Sequence, residues 1–70
     1  EDFVLDVEPV SNQVVVKTTT AAAQVIAESI DNLFIDNIVA SIAGDNVVLI
    51  ISKDETKAKE VSKTIEDNIK

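Results

Sequence analysis

The chain has 70 residues, enough for one small domain, and we predict that residues 1–70 form that single domain. Six lysines and no arginine face 13 acidic residues, giving a formal net charge of −7, so this chain by itself is not expected to bind DNA. Because the sequence has no cysteine and no histidine, a disulfide is excluded and a zinc site is not expected.

The first predicted elements are two strands joined by a turn. Residues 3–10, FVLDVEPV, alternate in polarity, which is typical of a half-buried strand that ends at Pro9. The alternation predicts one face with Phe3, Leu5 and Val7 and an opposite face with Val4, Asp6 and Glu8. Ser11, Asn12 and Gln13 favour a turn, and β-branched residues follow. We therefore predict a hairpin with a loop of about four residues.

The next segment, residues 18–34, changes to a helical period. Thr19 or Thr20 is a suitable N-cap, and the three alanines that follow favour a helix. A helical spacing then predicts one apolar stripe, which consists of Ile26, Ile30, Leu33 and Phe34.

The second half of the chain predicts another hairpin and another helix. Residues 38–43 and 47–52 are strands joined across Gly44, Asp45 and Asn46, and the second strand is continuously apolar, as in strands buried on both faces. Residues 53–70 form an amphipathic helix that Asp54 caps. Its apolar stripe consists of Ala58, Val61, Ile65 and Ile69.

The order ββαββα predicts the fold class α+β: a two-layer sandwich of four mainly antiparallel strands with both helices on one face. The other sheet face is then uncovered, and we expect Val4 and Val15 to point toward it. A domain of this size without disulfides or metals is usually supported by oligomerisation. The uncovered face is therefore predicted to be a subunit interface.

No enzyme signature accompanies this pattern. One glycine cannot form a phosphate-binding loop, and the acidic residues lack the spacing of a calcium loop. We therefore expect no catalytic residues, no metal ligands and no cofactor. A small α+β enzyme stays an alternative that only a substrate cleft would support. The sequence predicts neither a membrane span nor a signal peptide, so we expect a cytoplasmic protein.

Two places have candidate binding residues. Gln24 and Asp31 are seven residues apart on one side of the first helix, where they either border its apolar stripe or bind a ligand. Asp45 follows the only glycine, in a Gly-Asp-Asn sequence that either just forms a turn or also presents a carboxylate with a function.

These residues resemble a known family. From Phe3 to about Ile69 the chain is similar to the C-terminal domain of bacterial arginine repressors. That family has a P-G-A-A-Q segment at its first helix and a G-T-I-A/C-G-D-D segment at its second hairpin. Here TAAAQ, residues 20–24, and ASIAGDN, residues 40–46, occupy the same places in the same order.

The resemblance implies a function and an assembly. In the family this domain forms trimers, two trimers stack into a hexamer, and L-arginine binds between them as a co-repressor. An N-terminal domain, absent from this chain, binds operator DNA and controls genes of arginine metabolism. The resemblance implies that Asp45 pairs with the guanidinium and that Gln24 and Asp31 hold the amino-acid end, with the Ala43 backbone as a lesser contact.

Two positions depart from the family pattern. Asn46 stands at the second Asp of the family's pair, which removes a negative charge beside the implied guanidinium, although Asn46 stays a predicted ligand residue. Thr20 and Ala21 replace Pro-Gly before the helix. Asn46 therefore motivates an alternative: a structural multimerisation module of a divergent paralogue, whose arginine response is weakened or lost.

Overall fold

The computed structural model describes residues 3–69, which form four strands and two helices. The elements are β1 (Val4–Val10), β2 (Gln13–Thr18), α1 (Ala23–Asp31), β3 (Ile38–Ala43), β4 (Val47–Ser52) and α2 (Glu55–Ile69). All three strand pairs are antiparallel, and the order across the sheet is β1-β2-β4-β3. The predicted α+β sandwich with the order ββαββα is confirmed.

The core lies between the sheet and the two helices. Alternate residues of the central strands, such as Val14 and Ile50, pack with Ile26 of α1 and Ile65 of α2. The predicted stripe of α2 is confirmed, because all four of its members are buried. The predicted cap is confirmed as well: the backbone N–H of Lys57 donates to Oδ1 of Asp54 at 2.8 Å.

The sheet face opposite the helices is open and largely apolar. Ile42 of β3, Leu49 of β4 and Val15 of β2 lie side by side across it. Ile42 is 61% exposed, and the other two are half-buried. The prediction that β4 is buried on both faces is therefore wrong for a single chain, in which only alternate β4 residues are buried.

The predicted alternation of β1 is wrong. The register shifts between Val4 and Asp6, as at a β-bulge, so Val4 and Val7 both face the core. Leu5 lies at the bulge and is 60% exposed, and Phe3 is also exposed. The prediction that Val4 points toward the open face is therefore wrong.

The first hairpin has a shorter loop and a longer first strand than predicted. Val10 pairs with Gln13, which leaves a loop of Ser11 and Asn12 instead of about four residues. The strand continues beyond Pro9 to Val10. Proline is tolerated there because β1 is an edge strand of the sheet.

Both ends of α1 differ from the prediction. The N-cap is Ala22, which provides no side-chain hydrogen bond, so neither Thr19 nor Thr20 caps the helix. Ile26 and Ile30 are buried as predicted. Phe34 lies beyond the end of the helix, at a φ of 52°, and its 86% exposure removes it from the apolar stripe.

Two buried hydroxyls generate a stability prediction. Thr18 Oγ1 donates to the Thr19 carbonyl at 2.9 Å, whereas Ser52 Oγ is buried without a partner in the part of the chain that the structure describes. Removing the unpaired hydroxyl in Ser52→Ala should raise the free energy of unfolding by about 1 kcal/mol. Thr18→Val, the matched control, should lower it by about 1 kcal/mol. Urea unfolding at one protein concentration measures both, and equal losses would show that Ser52 is hydrogen-bonded.

Candidate functional site

The turn between β3 and β4 is held in place by backbone hydrogen bonds. The Gly44 N–H donates to the Val47 carbonyl at 2.8 Å and closes the turn. Gly44 does not adopt positive φ, so this turn does not depend on the conformational freedom of glycine. A methyl group at Gly44 would lie 3.4 Å from Cγ1 of Val47, an ordinary contact distance.

Two further bonds connect the turn to distant parts of the chain. The Ala23 N–H, in the first turn of α1, donates to the Asp45 carbonyl at 3.3 Å. The Thr18 N–H, at the end of β2, donates to the Asn46 carbonyl at 2.9 Å. The first bond also satisfies one of the unpaired N–H groups at the helix start. The backbone of both turn residues is thus held, while both residues are exposed.

Gln24 extends the same arrangement through its side chain. Its Nε2 donates to the Ala43 carbonyl at 3.4 Å, just before the turn. The structure therefore brings four of the predicted site residues together at one end of the sheet. These four are Gln24, Ala43, Asp45 and Asn46.

Asp31 is the predicted site residue that these hydrogen bonds do not include. It is the last residue of α1, seven residues after Gln24 and exposed on the same side of the helix. The helical rise places the two residues about 10 Å apart along the axis. Within one chain, Asp31 therefore lies at the far end of the helix from the turn.

The segment from residue 18 to residue 52 carries negative charge only, and Lys17, which pairs with Val47 beside the turn, is the neighbouring cation. Residues 18–52 contain four acidic residues, Glu28, Asp31, Asp36 and Asp45, and no lysine or arginine. Glu28 and Asp31 lie in the last turn of α1, which has no basic residue. Carboxylates are unfavourable there because the helix dipole is negative at that end. A bound cation would relieve this repulsion.

Ala21 contributes to the site in a way that the sequence did not reveal. Its φ is 67°, a left-handed conformation that alanine rarely adopts, and it directly precedes the helix start that contacts the turn. The run of three alanines concealed this feature because it favours a helix. The available signal was the departure at residue 21, where the arginine repressor pattern has glycine.

Away from the turn, the described residues form a groove but no metal site. Within residues 3–69, no group of three or more His, Cys, Asp or Glu residues could hold a metal ion. Neither of the described helices is long and apolar enough to cross a membrane. A groove of about 380 Å³ lies away from the turn, between the segment that follows α1 and the middle of α2.

The fold defines the class, a ββαββα sandwich with both helices on one face. The chain belongs to the arginine repressor family, because residues 1–67 match the family model for the arginine repressor C-terminal domain. The family consists of regulators rather than enzymes.

Several curated relatives support this assignment. An arginine repressor from Clostridium acetobutylicum is 51% identical over 55 residues, which cover 79% of this chain and 37% of the relative. One from Clostridium novyi is 45% identical over 62 residues, which cover 89% of this chain and 41% of the relative. One from Halothermothrix orenii is 31% identical over 67 residues, which cover 96% of this chain and 45% of the relative. The chain thus spans less than half the length of these relatives.

The conformation of Ala21 generates a second prediction. Ala21→Gly should raise the free energy of unfolding by about 0.5 kcal/mol, because the relief of left-handed strain exceeds the added flexibility of the unfolded chain. Ala27→Gly, within α1, is the matched control and should lower it by about 1 kcal/mol. Thermal and urea unfolding measure both changes. A loss of stability in Ala21→Gly would contradict the strain.

Proposed function

We propose that this chain is the oligomerisation and L-arginine-sensing domain of an arginine-responsive transcriptional regulator. The regulator would control genes of arginine biosynthesis or catabolism in the cytoplasm, with L-arginine as its co-repressor. Its DNA contacts would belong to an N-terminal domain outside this chain. The observation that carries the proposal is the turn at residues 44–46, whose backbone is held against α1 while the side chains of Asp45 and Asn46 are exposed.

In this proposal the turn binds the guanidinium group. The Asp45 carboxylate can accept two parallel hydrogen bonds from a guanidinium, a geometry that adds specificity to charge attraction. Asn46 offers an amide oxygen as a neutral acceptor beside it. The described residues give neither side chain a hydrogen-bond partner of its own, so both are available to a ligand.

Gln24 and Asp31 would hold the amino-acid end of arginine. Gln24 already donates its amide N–H to Ala43, which leaves its Oε1 as an acceptor for an ammonium group. Asp31 lies at the other end of α1, about 10 Å along the helix axis. This separation favours a ligand site completed by a second copy of the chain, as the family resemblance implies.

The open sheet face supports the assembly part of the proposal. It exposes Ile42 beside the half-buried Leu49 and Val15, and within residues 3–69 neither helix packs over this face. Burying such a patch between copies is favourable at about 25 cal/mol per Å². We assign this face to contacts between copies, in a trimer or a hexamer of two trimers.

The alternative, a module that multimerises without responding to arginine, is not favoured. Its motivation is Asn46 alone, and this residue keeps an acceptor for the guanidinium. The relatives described above are all named arginine repressors.

The assembly generates a prediction for the open face. Ile42→Lys should reduce the oligomer to smaller species, because a charge would be buried between copies without a partner. Ile42 is 61% exposed in the single chain, so the monomer should still fold. Asn68→Lys, on the exposed surface of α2, is the control with the same added charge and should leave the mass unchanged. Light scattering measures the mass against the 7.5 kDa of one chain. An unchanged oligomer in Ile42→Lys would contradict this interface.

Arginine sensing generates a prediction for Asp45. Asp45→Asn should weaken L-arginine binding about tenfold or more, because a charge-assisted pair becomes neutral. Titration calorimetry measures the affinity, and light scattering measures whether arginine increases the mass. Asp67→Asn, an exposed position on α2 with the same change in charge, should bind arginine normally.

The reciprocal variant tests the neighbouring position. Asn46→Asp adds a second carboxylate to the turn and should strengthen arginine binding about fivefold. If arginine changes neither heat nor mass in the unmodified chain, the sensing proposal fails. If Asp45→Asn binds as tightly as the unmodified chain, arginine binds elsewhere.

A further inference from the structure

Phe34 combines two features that are each unfavourable. It adopts a φ of 52°, a left-handed conformation that is uncommon for a bulky residue, and its side chain is 86% exposed. The strain is therefore not offset by burial of the ring within the chain. Residues held in such conformations tend to occur at functional sites.

The ring stands at the rim of the groove described above. The lining comes from the segment after α1 and from α2, and it includes Leu33, Phe34, Ile35, Asp36, Glu60 and Val61. The volume of about 380 Å³ is sufficient for a large side chain. This groove is separate from the turn at residues 44–46, which contributes no residue to it.

Apolar and polar residues line the groove in equal number, and the charged ones among them are negative. Asp36 and Glu60 are exposed carboxylates, and none of the residues described as lining it is basic. Glu60 Oε1 lies 3.9 Å from Lys57 Nζ, a loose and exposed pair that leaves most of its charge available. An arginine side chain complements such a surface, since its stem is apolar and its planar cation stacks on aromatic rings.

We propose that the Phe34 groove docks an arginine side chain presented by a partner polypeptide. The guanidinium stacks on the Phe34 ring while its N–H groups donate to Asp36 and Glu60. The strained backbone of Phe34 holds the ring out of its own core and available to the partner. This inference does not depend on arginine sensing at the turn.

The experiment uses the two phenylalanines of the chain, Phe3 and Phe34. Labelling with 4-fluorophenylalanine gives two ¹⁹F resonances, and Phe3 serves as the internal reference. The probe is N-acetyl-L-arginine methylamide, whose blocked ends imitate an arginine within a polypeptide. We expect a saturable shift of the Phe34 resonance only. Because each exposed charge contributes modestly, Asp36→Asn should weaken the binding about threefold.

Three further arms can overturn the proposal. The neutral analogue N-acetyl-L-citrulline methylamide should leave the Phe34 resonance in place, and an equal shift would refute recognition of a cation. Tighter binding of free L-arginine than of the blocked probe would make the groove a small-molecule site. A Phe34 resonance that moves on dilution without any probe would show that a second copy of the chain covers it.

A last arm tests the strain itself. Asparagine tolerates positive φ, so Phe34→Asn should raise the melting temperature. A lower melting temperature would show that the ring stabilises its own chain, and this would overturn the proposal. Equal shifts of both ¹⁹F resonances when the arginine probe is added, or no shift of either, would also overturn the proposal.

Discussion

Two backbone carbonyls in the turn at residues 44–46 accept hydrogen bonds from elements that are distant in sequence. Asp45 accepts from Ala23 at the start of α1, and Asn46 accepts from Thr18 at the end of β2. Thr18 and Ala23 are buried, so their N–H groups need such acceptors, and these bonds also determine where the turn lies. Main-chain hydrogen bonds therefore fix the backbone of the turn. The side chains of Asp45 and Asn46 are not needed for packing and stay exposed to a ligand.

Two features of the single chain support the proposed assembly of copies. The helices cover one sheet face, while Val15, Leu49 and Ile42 form an apolar row on the other. Residues 18–52 also contain four carboxylates and no lysine, with Lys17 beside Val47 as the neighbouring cation. An assembly of copies would cover the apolar face, but it would bring the acidic surfaces closer together. A cationic ligand between copies would reduce this repulsion, which connects the two halves of the proposed function in physical terms.

Much of the fold was predictable because its signals are local. Asp54 and the stripe of α2 could be read from the sequence, since capping and helical periodicity depend on neighbouring residues. The β1 bulge at Leu5 could not, because a bulge depends on pairing with β2. The site shows the same division. Spacing and turn residues indicated Gln24, Asp31 and Asp45 as candidates, and the family resemblance added the ligand, but the bond from Ala23 to Asp45 depends on tertiary contacts.

Several of the wrong predictions lie at the ends of α1, and there is a physical reason for that. The helix has nine residues, below the length at which an isolated helix is stable, and no side-chain cap. Strained residues lie on either side of it, Ala21 before it and Phe34 after it, and its carboxylates face the unfavourable pole of its dipole. Burial of Ile26 and Ile30 and the bond to Asp45 oppose these costs. Because the turn at residues 44–46 holds the start of this weak helix, a ligand that rigidifies the turn would also stabilise α1. Ligand binding should therefore change the stability of α1 more than the stability of α2.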